Sequence, residues 1–219
     1  MITIWTIGQG TRKDLLLEWQ SLLPKHVQVE VRGALDGLVG TDIAAQAPEV
    51  GDTPLFTVLA NGKHVIVGHQ KITKRLHALL KEPTQSKQTI NVLACTSDFP
   101  VLYKTGLIMP SRVVPGLIRS VTEGKRVGVF VPLLEQVPVC ENSWRMAGLN
   151  KLNVLPLRPD SDSQAISTAV AEMAKFEPDI IVCDCFSFGS DVKNLIASEL
   201  NCSVVLPVTL MARIVGELI

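Results

Sequence analysis

The chain has 219 residues, enough for one large α/β domain or two smaller lobes on a continuous scaffold, and 47% of them are apolar. Lysine plus arginine and aspartate plus glutamate number 21 each, so no basic field invites nucleic acid and no acidic tail argues for disorder. No apolar stretch approaches the roughly 18 residues that a membrane span needs.

The opening "MITIWTIGQGTRKD" has no basic leader and no small-residue cleavage site, and its apolar run is too short for a signal peptide. It reads as the first strand of a cytoplasmic protein. Five cysteines, at 95, 140, 183, 185 and 202, lack the dense even framework of a small secreted domain, so reduced thiols are expected.

In chain order, β-branched runs at 2–7, 27–31, 89–95, 126–131, 151–155, 178–183 and 203–206 read as buried strands. Amphipathic patterns at 12–22, 69–82, 111–122, 135–148, 163–175, 189–200 and 207–218 read as helices. This alternation predicts mainly parallel sheets flanked by helices. One segment departs from it: "LFTVLANGKHVIVG" alternates around Asn61-Gly62 and predicts a β-hairpin, near 53–68, with a two-residue type I′ turn. The polar stretch 81–88 predicts a surface loop.

There is also an internal echo. "INVLACTSDFP" (90–100) and "IIVCDCFSFGS" (180–190) each run an apolar strand into a cysteine, with a serine two positions later. One such strand per half predicts two pseudo-symmetric α/β lobes, residues 1–115 with 207–219 and residues 116–206, each presenting a cysteine at a strand's carboxyl end. In open α/β sheets that is where ligands bind.

Cys95 and Cys185 are the candidate catalytic residues. A thiol beyond a strand and near the amino terminus of the following helix feels the positive end of its dipole, which favours the thiolate. Two such groups facing one carbon could remove a proton from one face and deliver one to the other, with no metal or other cofactor. The competing reading is that both are small buried hydrophobes. Cys183, inside the apolar run, is expected in the core, and Cys140 and Cys202 are expected to be structural. A Cys-x-Cys zinc site would need further ligands, and His26, His64, His69 and His77 offer no paired motif.

Several loops on the same face could hold substrate. Gly8, Gln9 and Arg12 lie after the first strand, where helix amides could hold a carboxylate or phosphate, although this is neither a GxGxxG nor a Walker motif. Ser111 and Arg112 open a helix, with capping the plain explanation for the serine. Glu135 and Gln136 follow the strand that opens the second half.

Taken together, "TIGQGTRKD", "RGALDGL" (32–38), the Asn-Gly hairpin, "CTSDFP" (95–100), "MPSR", "VPLLEQ", Trp144, "DCFSFG" (184–189) and "VTLMARIVGEL" (208–218) resemble the AroM protein family in order and spacing. The family usually carries proline at Gly10 or Thr11, and glycine and tyrosine at Ser187 and Phe188. The resemblance implies the aspartate/glutamate racemase superfamily, with two lobes and a cleft between them holding the site.

In that superfamily cofactor-independent racemases use one cysteine from each lobe, which implies Cys95 and Cys185 here. The resemblance also implies substrate contacts from the first loop and from Thr96 and Ser97, with Ser187 beside the second cysteine. Racemases usually read Cys-Asn-Thr and Gly-Cys-Thr at these places; Thr96, Asp184 and Phe186 stand at the differing positions. Asp184 would raise a neighbouring thiol's pKa if the charges were close, or serve a structural contact on the opposite side of the strand. Phe186 and Phe188 would make a pocket more apolar than one built for glutamate.

The function expected is a racemase- or isomerase-like enzyme acting on a small carboxylate or carbonyl compound, with no cofactor, no nucleic acid or membrane partner, and a homodimer as the open assembly. A single-cysteine isomerase or decarboxylase and a non-catalytic small-molecule-binding protein are the alternatives. A redox role is disfavoured, since sulfurs placed to sandwich a substrate are too far apart to bridge.

Overall fold

A computed structural model describes residues 1–81 and 89–219. Most of the expected loop at 81–88 and the last residue of the helix expected at 69–82 lie outside the described residues. The chain divides into two compact units, Met1–Pro110 with Met211–Ile219, and Ser111–Leu210.

Unit 1 contains β1 (Ile2–Thr6), α1 (Lys13–Leu22), β2 (Val29–Gly33), α2 (Gly40–Ala44), β3 (Pro54–Val58), β4 (His64–Gly68), α3 (His69–Leu79) and β5 (Ile90–Ala94). Its main sheet is parallel in the order β2-β1-β5, with Ile2 opposite both Val29 and Ile90. Every residue of β1 is buried, as a central parallel strand covered on both faces requires. β2 begins two residues later than its β-branched run suggests, because Val27 N–H closes a turn onto the Pro24 carbonyl at 2.9 Å.

The hairpin forms, but not with the expected turn. Leu59 N–H bonds the Lys63 carbonyl at 2.9 Å, leaving a three-residue loop of Ala60, Asn61 and Gly62. Gly62 has φ +81°, whereas Asn61 is not among the described non-glycine residues with positive φ. One left-handed residue after an ordinary turn matches the strand twist as well as a two-residue type I′ turn does. Hairpin residues Leu55, Leu59 and Val67 join Ile72 and Leu76 of α3, and Trp5, Ile7 and Leu93 of the main sheet, in one buried cluster.

Unit 2 takes most of α4 (Pro110–Val121), then β6 (Val127–Val131), α5 (Val137–Met146), β7 (Leu152–Pro156), α6 (Ser163–Ala174), β8 (Ile180–Cys183), α7 (Ser190–Leu200) and β9 (Ser203–Val205). The last helix, α8 (Pro207–Gly216), carries the chain back into unit 1. The sheet of unit 2 is parallel in the order β7-β6-β8-β9. Local chemistry sets several helix ends: the Asp162 carboxylate accepts Ala165 N–H at 2.8 Å to start α6, and Asn201 ends α7 at φ +49°.

The two sheets share a topology. β6 stands to β7 and β8 as β1 stands to β2 and β5, and a parallel bridge from Val92 to Ile108 occupies the place beside β5 that β9 occupies beside β8. Within each unit, therefore, a cysteine follows the strand lying next to the central one.

Candidate functional site

Cys95 leaves β5 directly and is 8% exposed, within the buried cluster that also holds Trp5, Leu93 and Phe99. The next helical element is a single 3-10 turn, Pro100–Leu102, not a long helix. The dipole support expected for this thiol is therefore missing, because a three-residue turn aligns too few peptide units. Thr96 and Ser97 are half-buried in the intervening loop. That loop is anchored from α3: a His69 ring nitrogen lies 2.7 Å from the Asp98 carbonyl, and the ring stacks on Phe99 with centroids 4.4 Å apart. Sequence reasoning set His69 aside because it sought paired ligands, whereas the residue serves here as a loop anchor.

The loop after β1 is close-packed against its own unit. A Cβ on Gly8 would lie 2.2 Å from the Val58 carbonyl oxygen, and one on Gly33 would lie 2.4 Å from both Gly10 N and Gly8 O. A carboxylate of the chain itself sits at this loop: Asp36 accepts Gly10 N–H and Gly33 N–H, each at 2.7 Å. Gly8 N–H bonds Thr6 Oγ1 and Gln9 N–H bonds the Val58 carbonyl.

The Gln9 side chain donates to the Leu38 carbonyl at 3.1 Å and accepts Ala60 N–H at 2.8 Å, tying the loop to the hairpin. Arg12, 7% exposed, donates through Nε to Asp14 at 2.7 Å and also pairs through its terminal nitrogen. Burial raises the Asp14 pKa, but the Arg12 hydrogen bond and charge, with the Leu15 and Asp14 amides, carry it below the ordinary carboxylate value. Two of the anion-holding groups of this loop, the Gly10 amide and the Arg12 guanidinium, thus bind Asp36 and Asp14.

In unit 2, Cys183 is fully buried, and Cys185 is half-buried in the turn beyond it. Asp184 N–H bonds the Phe130 carbonyl at 2.7 Å, carrying the β6 pairing one residue past Cys183. Alternation sends the Asp184 side chain to the opposite face from Cys183. There its carboxylate accepts the Trp144 indole N–H at 3.1 Å and the Cys140 thiol at 3.4 Å. Cys140 and Trp144 sit four apart on α5, so one helix face presents both donors.

Burial, then the Asp184 charge, pushes the Cys140 and Cys183 thiols far above the ordinary range, so both stay protonated. Cys202 is also raised, by burial and then Asp179. Cys185 is set differently. Its N–H turns back to the Cys183 carbonyl at 2.8 Å, and Ser187 N–H points at its sulfur at 3.4 Å. Phe186 and Phe188 are 6% and 1% exposed, so they are packed inward as core residues.

Gln136, half-buried after β6, accepts Leu133 N–H through its side chain at 3.3 Å. Ser111 is the second residue of α4, so it is not the helix cap; Pro115 in the same helix withdraws the amide that would bond the Ser111 carbonyl. Ser111 is half-buried and Arg112 exposed. Thus unit 1 brings Gly8–Arg12 and Cys95–Ser97 to the carboxyl ends of two paired strands, and unit 2 does the same for Gln136 and Cys185–Ser187. No disulfide joins any of the five cysteines, and among the described residues no group of three or more His, Cys, Asp or Glu could hold a metal ion. Among them, too, no helix is long and apolar enough to cross a membrane.

The fold has known counterparts. Allantoin racemase from Pseudomonas fluorescens superposes with a TM-score of 0.65 at 10% identity, covering 99% of this chain and 89% of that one. Glutamate racemase from Francisella tularensis, solved with D-glutamate, gives 0.63 at 10% identity over 99% and 80%. Unliganded arylmalonate decarboxylase gives 0.53 at 13% identity over 100% and 92%. These likenesses show a shared fold. A comparison with curated proteins finds no match. The family model described as AroM protein matches residues 2–219, and the chain belongs to the AroM family.

Proposed function

We propose that this protein is a cytoplasmic, cofactor-independent racemase- or isomerase-like enzyme using Cys95 and Cys185 as an acid–base pair on a small carboxylate or carbonyl compound. The observation that carries the reading is topological: one cysteine follows β5 and one follows β8, the equivalent strand of each parallel sheet, on a fold shared with racemases. In this reading one sulfur, as thiolate, takes the proton from carbon next to the carboxylate or carbonyl. The electron pair is delocalised into that group, and the other sulfur, as thiol, returns a proton from the opposite face. The two thiols end with exchanged protonation states. Thr96, Ser97, Ser111, Arg112, Gln136 and Ser187 are the polar groups assigned to substrate. Gly8, Gln9 and Arg12 shape their loop from within.

The test is hydrogen exchange in heavy water with allantoin, D- and L-glutamate and an arylmalonate as probes. Exchange at the reacting carbon is expected, and Cys95→Ala or Cys185→Ala should each reduce racemisation by at least about 10³-fold. Exchange that survives both substitutions would sink the proposal.

A second reading has its own support. Cys95 is almost wholly buried among apolar side chains, whereas Cys185 is more open and receives an N–H on sulfur. This asymmetry suits a single-thiol isomerase or decarboxylase, the latter being the activity in the name of one structural neighbour. Loss of turnover in Cys185→Ala, with Cys95→Ala still active, would select it.

A further inference from the structure

We propose that Asp184 is the positioning residue for Cys185, holding that thiol in its working geometry through the α5 side chains Trp144 and Cys140. The inference rests on the reading of Cys185 as a working thiol and adds what keeps it in place.

The chain at 184 is gripped twice. Its backbone N–H is held by the Phe130 carbonyl at 2.7 Å, and its carboxylate receives Trp144 Nε1 at 3.1 Å and Cys140 Sγ at 3.4 Å. Trp144 is 2% exposed, so its donor is fixed by packing, and a buried indole N–H left without an acceptor is unfavourable. Beyond this point β8 has ended, and the next peptide turns sharply, with Cys185 N–H on the Cys183 carbonyl. The direction in which Cys185 leaves the sheet therefore depends on how residue 184 is held. The 183–184 peptide is held by β6 and the side chain of 184 by α5. With the turn in this arrangement, Ser187 N–H lies 3.4 Å from Cys185 Sγ.

The residue type matters in a specific way. A glycine or alanine at 184 would keep the strand pairing and lose the grip of α5. An asparagine would keep an oxygen facing Trp144 and lose the charge. Position and charge are thereby separable.

The experiment measures alkylation of the full-length protein by iodoacetamide, reading each cysteine by peptide mass spectrometry, with half-exposed Cys202 of the same unit as internal reference. The Cys185 rate relative to Cys202 should fall about tenfold in Asp184→Leu and in Trp144→Phe, the equivalent of one hydrogen bond to the sulfur. Asp184→Asn should stay close to wild type. Cys140→Ala, the mildest change, should show an intermediate fall and serves if either larger substitution prevents folding. Unchanged Cys185 rates in the folded variants overturn the proposal, and so does an Asp184→Asn rate as low as that of Asp184→Leu. Alkylation requires no turnover, so a chain that alkylates as expected while exchanging no substrate hydrogen defeats the two-thiol enzyme and leaves this inference intact.

Discussion

The carboxylate of Asp184, just past the end of β8, and the indole of Trp144 on α5 are joined at 3.1 Å, with the Cys140 thiol on the same oxygen. Replacing Asp184 by alanine strands a buried indole N–H and a half-buried thiol, which costs about 1–3 kcal/mol. Urea unfolding should show the midpoint moving down with an unchanged slope. Asp184→Asn should lose less than half as much, and equal losses in the two variants would show that the bond to Trp144 carries little.

Gly33 faces the backbone of the loop after β1, where an added Cβ would lie 2.4 Å from Gly10 N and Gly8 O. Backbone cannot swing aside as a side chain can, so Gly33→Ala should destabilise by about 1–3 kcal/mol. Gly189, which has nothing within 4 Å of a built Cβ, is the control. Its alanine variant, at the N-cap of α7, should lose no more than the roughly 1 kcal/mol of a weakened cap.

Asp14 has a folded pKa below its ordinary value, despite the opposing effect of burial, through Arg12 and the helix amides. A lowered folded pKa means that the unfolded chain binds the proton first as pH falls. The contribution of Asp14 is therefore complete above the ordinary carboxylate range and lost as pH drops through the folded value. Wild type and Asp14→Asn should differ in stability at pH 7 and converge below about pH 3. The effect should be small, because the carboxylate is 64% exposed and solvent screens its ion pair. A gap that stays constant down to low pH would point to lost hydrogen bonding without linkage.

At the alkaline end the sign reverses. Cys140 and Cys183 have folded pKa values raised by burial and by Asp184, so both remain thiols in the folded chain while the unfolded chain ionises them. Their contribution is full below the ordinary thiol pKa and declines above about pH 8.5, by up to about 1.4 kcal/mol per pH unit per thiol. Cys183→Val should flatten this decline between about pH 9 and 10, measured by chemical denaturation. An unaltered slope would mean that Cys183 is not the thiol held neutral there.

Much of this molecule is written in local pattern. The β-branched runs, the amphipathic segments between them and the repeat of a cysteine after an apolar strand are short-range features. They suffice to predict parallel sheets flanked by helices, a hairpin, and Cys95 and Cys185 at corresponding strand ends. The hairpin shows where local reasoning stops. Asn61-Gly62 marks the turn correctly, but the loop length depends on the register, with Val58 opposite His64, and register is set by which face packs on the core.

The site depended more heavily on contacts distant in sequence. Asp36 is 26 residues from Gly10, Asp184 is 40 from Trp144, and His69 is 29 from Asp98. No spacing rule announces such pairs, because they arise only when two strands or a strand and a helix are laid side by side. That is why the Gly10 amide looked available in the sequence and is taken by Asp36 in the fold. Sequence alone determined the order of strands and helices and where the two thiols leave their sheets, since both derive from periodicity along one segment. Tertiary structure decided which donors and acceptors each loop keeps, because a buried polar group takes whichever partner packing brings within about 3 Å.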